Sequence, residues 1–106
     1  MRRFDIVIVS GGIYADKHRP GIFVQVVDDM DEDSLTVVPL TSEARDSKWW
    51  IQVDPDEQNG LVTTSYMMVN KITTVRKKNA RDVVGHLADV HCVLLEQRLQ
   101  EFLGFE

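Results

Sequence analysis

The hydrophobic pattern of this chain changes period once, and that change limits the folds open to it. Over roughly the first four-fifths, apolar residues come in short β-branched or aromatic runs broken by Gly, Pro, Asp and Asn, the pattern of short strands. From Asp89 onward, Cys92, Leu95, Leu99, Phe102 and Leu103 recur at three- and four-residue intervals, the stripe of an amphipathic helix. Asp89 is expected to cap that helix and Gly104 to stop it. The strand-like runs are residues 4–9, closed by Gly11-Gly12; 21–27, directly after Pro20; 35–40, where Pro39 demands an edge, a bulge or a strand end; and 49–53. The polar turn DPDEQNG follows, in which Asn59-Gly60 suits a positive φ. Residues 66–69 and 72–75 lie close enough to form one bent strand, and residues 79–84 are read as a further short helix. About six short strands and one C-terminal helix predict a mainly β fold with a C-terminal α-helix, a small curved sheet or barrel with the helix laid across it. The 106 residues suffice for one core, so residues 1–106 are expected to form a single domain.

Several classes are excluded by composition. The apolar run at residues 6–9 is too short for a membrane span or a signal-peptide core, so a cytoplasmic location is expected. The lone Cys92 allows no intrachain disulfide and reads as a small buried hydrophobe. His18, His86 and His91 are scattered, and no metal or cofactor is expected. The net charge of −5 is unevenly spread. Residues 28–33 hold five acids and no base, and residues 82–106 carry a net −4; setting both aside leaves the remainder at +4. A basic surface between Arg2 and Arg81 is therefore compatible with an acidic total.

On spacing alone no strong catalytic signature stands out: there is no phosphate-binding glycine loop and no nucleophile elbow. Lys17-His18-Arg19-Pro20-Gly21 gathers cationic groups where a proline-stiffened strand begins, and a planar guanidinium matches a phosphate. The same segment also reads as a solvated basic loop end. Thr41-Ser42 sets two hydroxyls at a strand end, a common turn. Arg76-Lys77-Lys78 reads as a solvated basic turn or a phosphate contact. Successive strand residues face opposite ways, so one of Trp49-Trp50 is expected in the core and the other at a dimer contact, or else serving as a stacking platform for a base.

In order along nearly the whole chain, these segments resemble the MazF/PemK-type toxins, sequence-selective ribonucleases of toxin–antitoxin modules. Arg3-Phe4-Asp5-Ile6-Val7 resembles the family's R-G-D-I-V, and residues 18–25 resemble its R-P-x-L-V-I-Q strand. Val37-Val38-Pro39-Leu40-Thr41-Ser42 resembles V-V-P-L-T-S, and residues 60–75 resemble G-L-x-x-D-S-x-V-L-V-D-Q-I-R-T-V. Val84-Gly85-His86-Leu87 and the closing Leu103-Gly104 resemble I-G-x-L and the family's terminal L-G. The departures are Phe4 for the opening glycine, a loop at 11–18 without G-x-E-Q, Ala88 where a capping Ser is common, and Asn70-Lys71-Ile72-Thr73 for D-Q-I-R.

The resemblance implies a small SH3-like or CcdB-like barrel that dimerises around one RNA groove. It places Arg19 and Thr41 at the family's catalytic positions, with Lys17, Ser42, Asn70 and Lys71 as RNA contacts and His18 as a possible acid–base group. The implied reaction is metal-independent: the 2′-hydroxyl of single-stranded RNA attacks the adjacent phosphorus, leaving a 2′,3′-cyclic phosphate and a 5′-hydroxyl. The implied partners are a second copy and a cognate antitoxin, expected to lay a disordered acidic tail over the groove. An alternative is a CcdB-type toxin, which shares the barrel and binds gyrase without nuclease activity, relying on its last residues. Arg19-Pro20-Gly21 and Thr41 discriminate, since only the ribonuclease needs them.

Overall fold

The computed structural model describes residues 1–10, 18–26 and 33–105. Lys17, the loop at 11–17 and most of the acidic stretch (28–32) lie outside the described residues. Five strands form the first sheet: β1 (Asp5–Val9), β2 (Arg19–Phe23), β3 (Ser34–Thr41), β6 (Thr73–Arg76) and β7 (Ala80–His86). All pairings are antiparallel, in the order β6-β3-β2-β1-β7. Its two edge strands, β6 and β7, are joined by the three-residue 3-10 turn Lys77–Asn79, so the sheet curls until its edges nearly meet. Leu35 and Val37 of β3 line the inside of this curl with Val7, Val9, Phe23 and Val75.

The far end of β3 belongs to a second, smaller sheet with β5 (Ser65–Met68) and β4 (Trp50–Val53). Side chains alternate along β3, so Val38 and Leu40 face away from Leu35 and Val37. They enter a larger cluster with Ile6, Ile22, Ile51 and Met67, which is closed by Cys92 and Leu95 of helix α1 (Asp89–Leu103). The expected fold class, mainly β with a C-terminal helix, is what the chain forms.

Pro39 lies inside a strand rather than at its end. β3 exchanges partners on one side there, from β6 at Val37 to β5 at Leu40. A proline has no N–H for a ladder, and in that gap neither neighbour asks for one. The segment expected as one bent strand is β5 and β6, divided by the 3-10 turn Val69–Lys71, each pairing with its own part of β3. The second strand begins two residues earlier than expected and ends at Phe23.

The expected short helix at 79–84 is strand β7. Ile6 pairs with Gly85 but Val7 with Val83, and Val9 pairs with Ala80, so β7 carries extra residues at two irregular points. These bulges break the two-residue alternation that would have marked a strand. The helix start is also one residue off. Ala88 is the N-cap, without a side-chain cap bond, and Asp89 opens the first turn. Gly104 ends α1 in the left-handed conformation, φ 80°, as expected, and Cys92 is buried, its thiol donating to the Leu87 carbonyl. Phe4 has φ 72°, a conformation that costs a non-glycine residue about 1–2 kcal/mol. Its backbone is held there at both ends, its N–H donating to the Phe23 carbonyl (2.6 Å) and its carbonyl accepting from Leu87 (3.0 Å). The position where Phe4 departs from the family's glycine is thus one with a glycine's backbone. Among the described residues, no helix is long and apolar enough to cross a membrane.

Candidate active site

Residues 54–60 form a turn whose backbone presses on β7. Buried Asn59 braces it from inside: its Oδ1 accepts from Leu61 N–H (3.0 Å) and Asp56 N–H (3.2 Å), and its Nδ2 donates to the Asp54 carbonyl (2.9 Å). Gly60 takes φ +68°, the positive value expected of the Asn-Gly pair, and a Cβ there would stand 2.2 Å from the Val84 carbonyl oxygen. Across the contact, a Cβ on Gly85 would stand 2.3 Å from the Asn59 carbonyl. Only a pair of glycines allows this approach, which His86 N–H locks by donating to the Gln58 carbonyl (2.8 Å).

Between this turn and the sheet lies a cleft of about 400 Å³. Arg19 and Pro20 at the start of β2, Thr41 and Ser42 at the end of β3, Thr63 just ahead of β5 and Ser65 at its start contribute to its lining. The strand pairing brings them together although they are spread over more than forty residues. Arg19 is half-buried, held at its backbone opposite Val9. Thr41 is buried, and its Oγ1 accepts from the Glu43 N–H at 3.2 Å. That bond occupies a lone pair and leaves the hydroxyl hydrogen free to donate.

Of the residues singled out in the sequence, Arg19, Thr41 and Ser42 meet in this cleft. His18 is exposed just ahead of β2 and is not among the lining residues. Asn70 and Lys71 sit apart, in the 3-10 turn after β5. Missed by sequence reasoning were Glu43, the only carboxylate among the described lining residues, and Val84, which the β7 bulge turns toward Gly60. A carboxylate two residues beyond Thr41 could have been noticed; the bulge and the turn contact are long-range and left no local signal.

The expected division of the two tryptophans is corrected: neither is in the core. Trp49 meets Phe102 of α1 edge-on, with centroids 5.2 Å apart. Trp50 points the other way and donates its indole N–H to Asn70 Oδ1 at 3.0 Å. At the opposite edge, Asp5 accepts from the Arg2 N–H (2.7 Å) and pairs with His86 Nδ1 (2.8 Å). Burial acts most strongly on Asp5 and would raise its pKa, but these two partners together hold the carboxyl below its ordinary value.

Comparison with known proteins gives a consistent result. The model of the PemK-like, MazF-like toxins of type II toxin–antitoxin systems matches residues 2–103. The chain is 37% identical to the "Probable endoribonuclease MazF" of Mycolicibacterium smegmatis, over 98% of this chain and 97% of that protein. Among solved structures it is similar to a mycobacterial endoribonuclease in complex with its cognate antitoxin, with a TM-score of 0.83 at 20% identity, covering 100% of this chain and 97% of that one. It is also similar to MazF of the MazE-MazF complex of Deinococcus radiodurans, with a TM-score of 0.74 at 16% identity, covering 100% and 97%. At these identities the structural matches speak for the fold; the family model and the mycobacterial relative carry the assignment. The chain belongs to the PemK-like, MazF-like toxins of type II toxin–antitoxin systems.

Proposed function

We propose that this toxin is an endoribonuclease that cleaves single-stranded RNA in the cleft between β2, β3 and the 60–63 loop, without a metal ion. The observation that carries the reading is the meeting of Arg19 with Thr41 in one cleft of nucleotide size. RNA supplies its own nucleophile, the 2′-hydroxyl. Its attack on the adjacent phosphorus builds negative charge on the phosphoryl oxygens, and in this reading the Arg19 guanidinium and the Thr41 hydroxyl stabilise it. Ser42 is a further donor to the same strand. The 2′-hydroxyl proton needs an acceptor, and Glu43 rather than the exposed His18 is the group in the cleft that can take it. The 5′ oxygen leaves protonated from the open side, where water has access, and the products are a 2′,3′-cyclic phosphate and a 5′-hydroxyl.

The toxin works in the cytoplasm as a homodimer and is silenced by a cognate antitoxin whose acidic, disordered segment covers the cleft. Structural relatives described as complexes with a cognate antitoxin and with MazE support that partner. A gyrase-binding reading has no use for an arginine and a hydroxyl in one cleft, and the chain's relatives are MazF proteins.

Incubating the pure protein with a long RNA in EDTA tests the reading, with the new ends mapped chemically. Cleavage to 5′-hydroxyl ends is expected, with Arg19→Ala slower by roughly 100- to 1,000-fold, the usual loss for one transition-state donor. Thr41→Ala should act in the same direction but less, and Glu43→Gln should lose roughly 100-fold or more. Cleavage that requires added Mg²⁺, or near-normal activity of Arg19→Ala, would overturn it.

A further inference from the structure

Outside the cleft, one cluster combines an aromatic ring, unpaired cations and a directed hydrogen-bond donor. The ring of Trp50 has the Arg45 guanidinium carbon 4.8 Å from its centroid and the Lys71 ammonium 5.7 Å from it. Both cations are exposed, and among the described residues neither forms a salt bridge. The indole N–H can only donate, so the Asn70 atom facing it is the oxygen and the Asn70 amide NH₂ is directed elsewhere. Among the described residues that NH₂ has no acceptor. The two-residue repeat of the strand puts Trp50 on the face opposite Trp49, away from α1.

The same face leads to the cleft. Gln52 pairs with Tyr66 and Tyr66 with Thr41, so their side chains share one side of the small sheet. Trp50 stands two residues along β4 on that side. With strands about 4.8 Å apart and residues rising about 3.4 Å, its backbone lies on the order of 12 Å from that of Thr41. Half-buried Tyr66 and exposed Gln52 lie between them.

We propose that Trp50, flanked by Arg45 and Lys71 and tied to Asn70, is a base-stacking subsite for single-stranded RNA, beside the cleft and contributing to its sequence preference. The proposal rests on the ribonuclease reading of the cleft. Nucleic-acid strands are held by aromatic faces under the bases and cations along the phosphates, and a guanidinium plane can cover the other face of a stacked base. Arg45, exposed and lying on the ring itself, has to lift by one base thickness to cover the far face of the base, and Lys71 stands beside the ring to meet a phosphate. The Asn70 NH₂ then offers donors to an acceptor on the base edge. Buried interface anchors for a protein partner have no such need of two exposed cations and an amide NH₂ without an acceptor among the described residues.

A coupling experiment tests this on the full-length protein. A short oligoribonucleotide around a mapped cut site is prepared with one flanking nucleotide at a time made abasic, and kcat/KM is measured for wild type and Trp50→Ala. One position is expected to cost the wild type roughly 10- to 100-fold, the range for a lost base–aromatic stack. Trp50→Ala should lose a similar factor on the intact oligonucleotide and little more on the abasic one. Losses that multiply at every position, or no sensitive position, overturn the proposal. Should Trp50→Ala fail to fold by its urea midpoint, Trp50→Phe takes its place, with a smaller coupled loss expected.

Tryptophan fluorescence gives an independent arm, using the same oligonucleotide with a 2′-deoxy group at the cut. Quenching is expected in wild type and Trp49→Phe and absent in Trp50→Phe. Quenching that depends on Trp49, or none, overturns the subsite. If the wild type cuts no RNA at all, the ribonuclease reading fails, and the same quenching comparison with a mixed-sequence single-stranded RNA decides whether a base stacks on Trp50. Quenching by an antitoxin peptide but not by RNA would assign the ring to the protein partner and overturn the proposal.

Discussion

Replacing Gly85 with alanine should cost this toxin about 3 kcal/mol of stability and open its cleft. The added Cβ would stand 2.3 Å from the Asn59 carbonyl carbon and oxygen and 2.5 Å from the Gln58 oxygen, against 3.4–4 Å for an ordinary contact. All three are backbone atoms, so no side chain can swing aside. The turn must retreat by about 1 Å, which stretches the His86–Gln58 hydrogen bond from 2.8 Å beyond useful length. Overpacking typically costs about 1–3 kcal/mol and a lost hydrogen bond about 0.5–1.5 kcal/mol. The three bonds made by Asn59 stiffen the turn, so it should lift as a body. The 60–63 wall of the cleft would move with it, lowering kcat/KM for RNA. In urea the unfolding midpoint should fall by roughly 1.5 M, given a slope of about 2 kcal/mol/M for a protein of this size, and the His86 amide should lose protection from hydrogen exchange. Gly60→Ala strikes the same contact from the other side, so the double variant should be less destabilised than the sum of the two. A Gly85→Ala midpoint within about 0.3 M of wild type, with the His86 amide still protected, would refute the reasoning.

Two further outcomes concern titrating groups. Because the Asp5 carboxyl titrates below its ordinary value of 3.8 in the folded chain, its stabilising contribution is complete above that value and is lost as pH falls through the lowered folded pKa. Asp5→Asn should therefore be less stable than wild type at pH 7, with the gap closing below about pH 4; a pH-independent gap in urea midpoints would refute the attribution. Burial, helped by the Asp89 and Glu96 carboxylates, pushes the Cys92 thiol up to about 11. Iodoacetamide should then modify the native protein far more slowly than the urea-unfolded one, and equal rates would contradict the burial.

What the sequence disclosed was local. β-branched runs at Ile6–Val9 and Val37-Val38 marked strands because each side chain's neighbours two residues away share its face. Cys92, Leu95 and Leu99 marked a helix by the same logic at a longer period. Arg19, Thr41 and Ser42 were legible through motif resemblance, and the fold brings them together. Hidden were the features decided by contacts between distant segments. β7 was misread because its two bulges break the alternation of a strand, leaving Val83-Val84 as an apolar pair in an otherwise polar stretch. Pro39 allowed an edge, a bulge or a strand end, and nothing local announced that β3 changes partner there and leaves that side of the proline unpaired. Glu43 went unread because no local pattern shows that the cleft forms beside it, between β2, β3 and the distant 60–63 loop.

The way β3 is shared has a consequence for how the molecule fails. Leu35 and Val37 belong to one hydrophobic cluster and Val38 and Leu40 to the other, so the strand is a party wall between two rooms. Neither room can be emptied without removing the wall of its neighbour, which ties their unfolding into one cooperative event. Thr41, at the end of that wall, is carried along. A damaged copy therefore has no half-folded form that keeps an intact cleft: each molecule is either whole, with Arg19 and Thr41 in register, or an open chain exposed to proteolysis. For a toxin, an all-or-none ending of this kind keeps the population of active molecules a direct readout of folding stability.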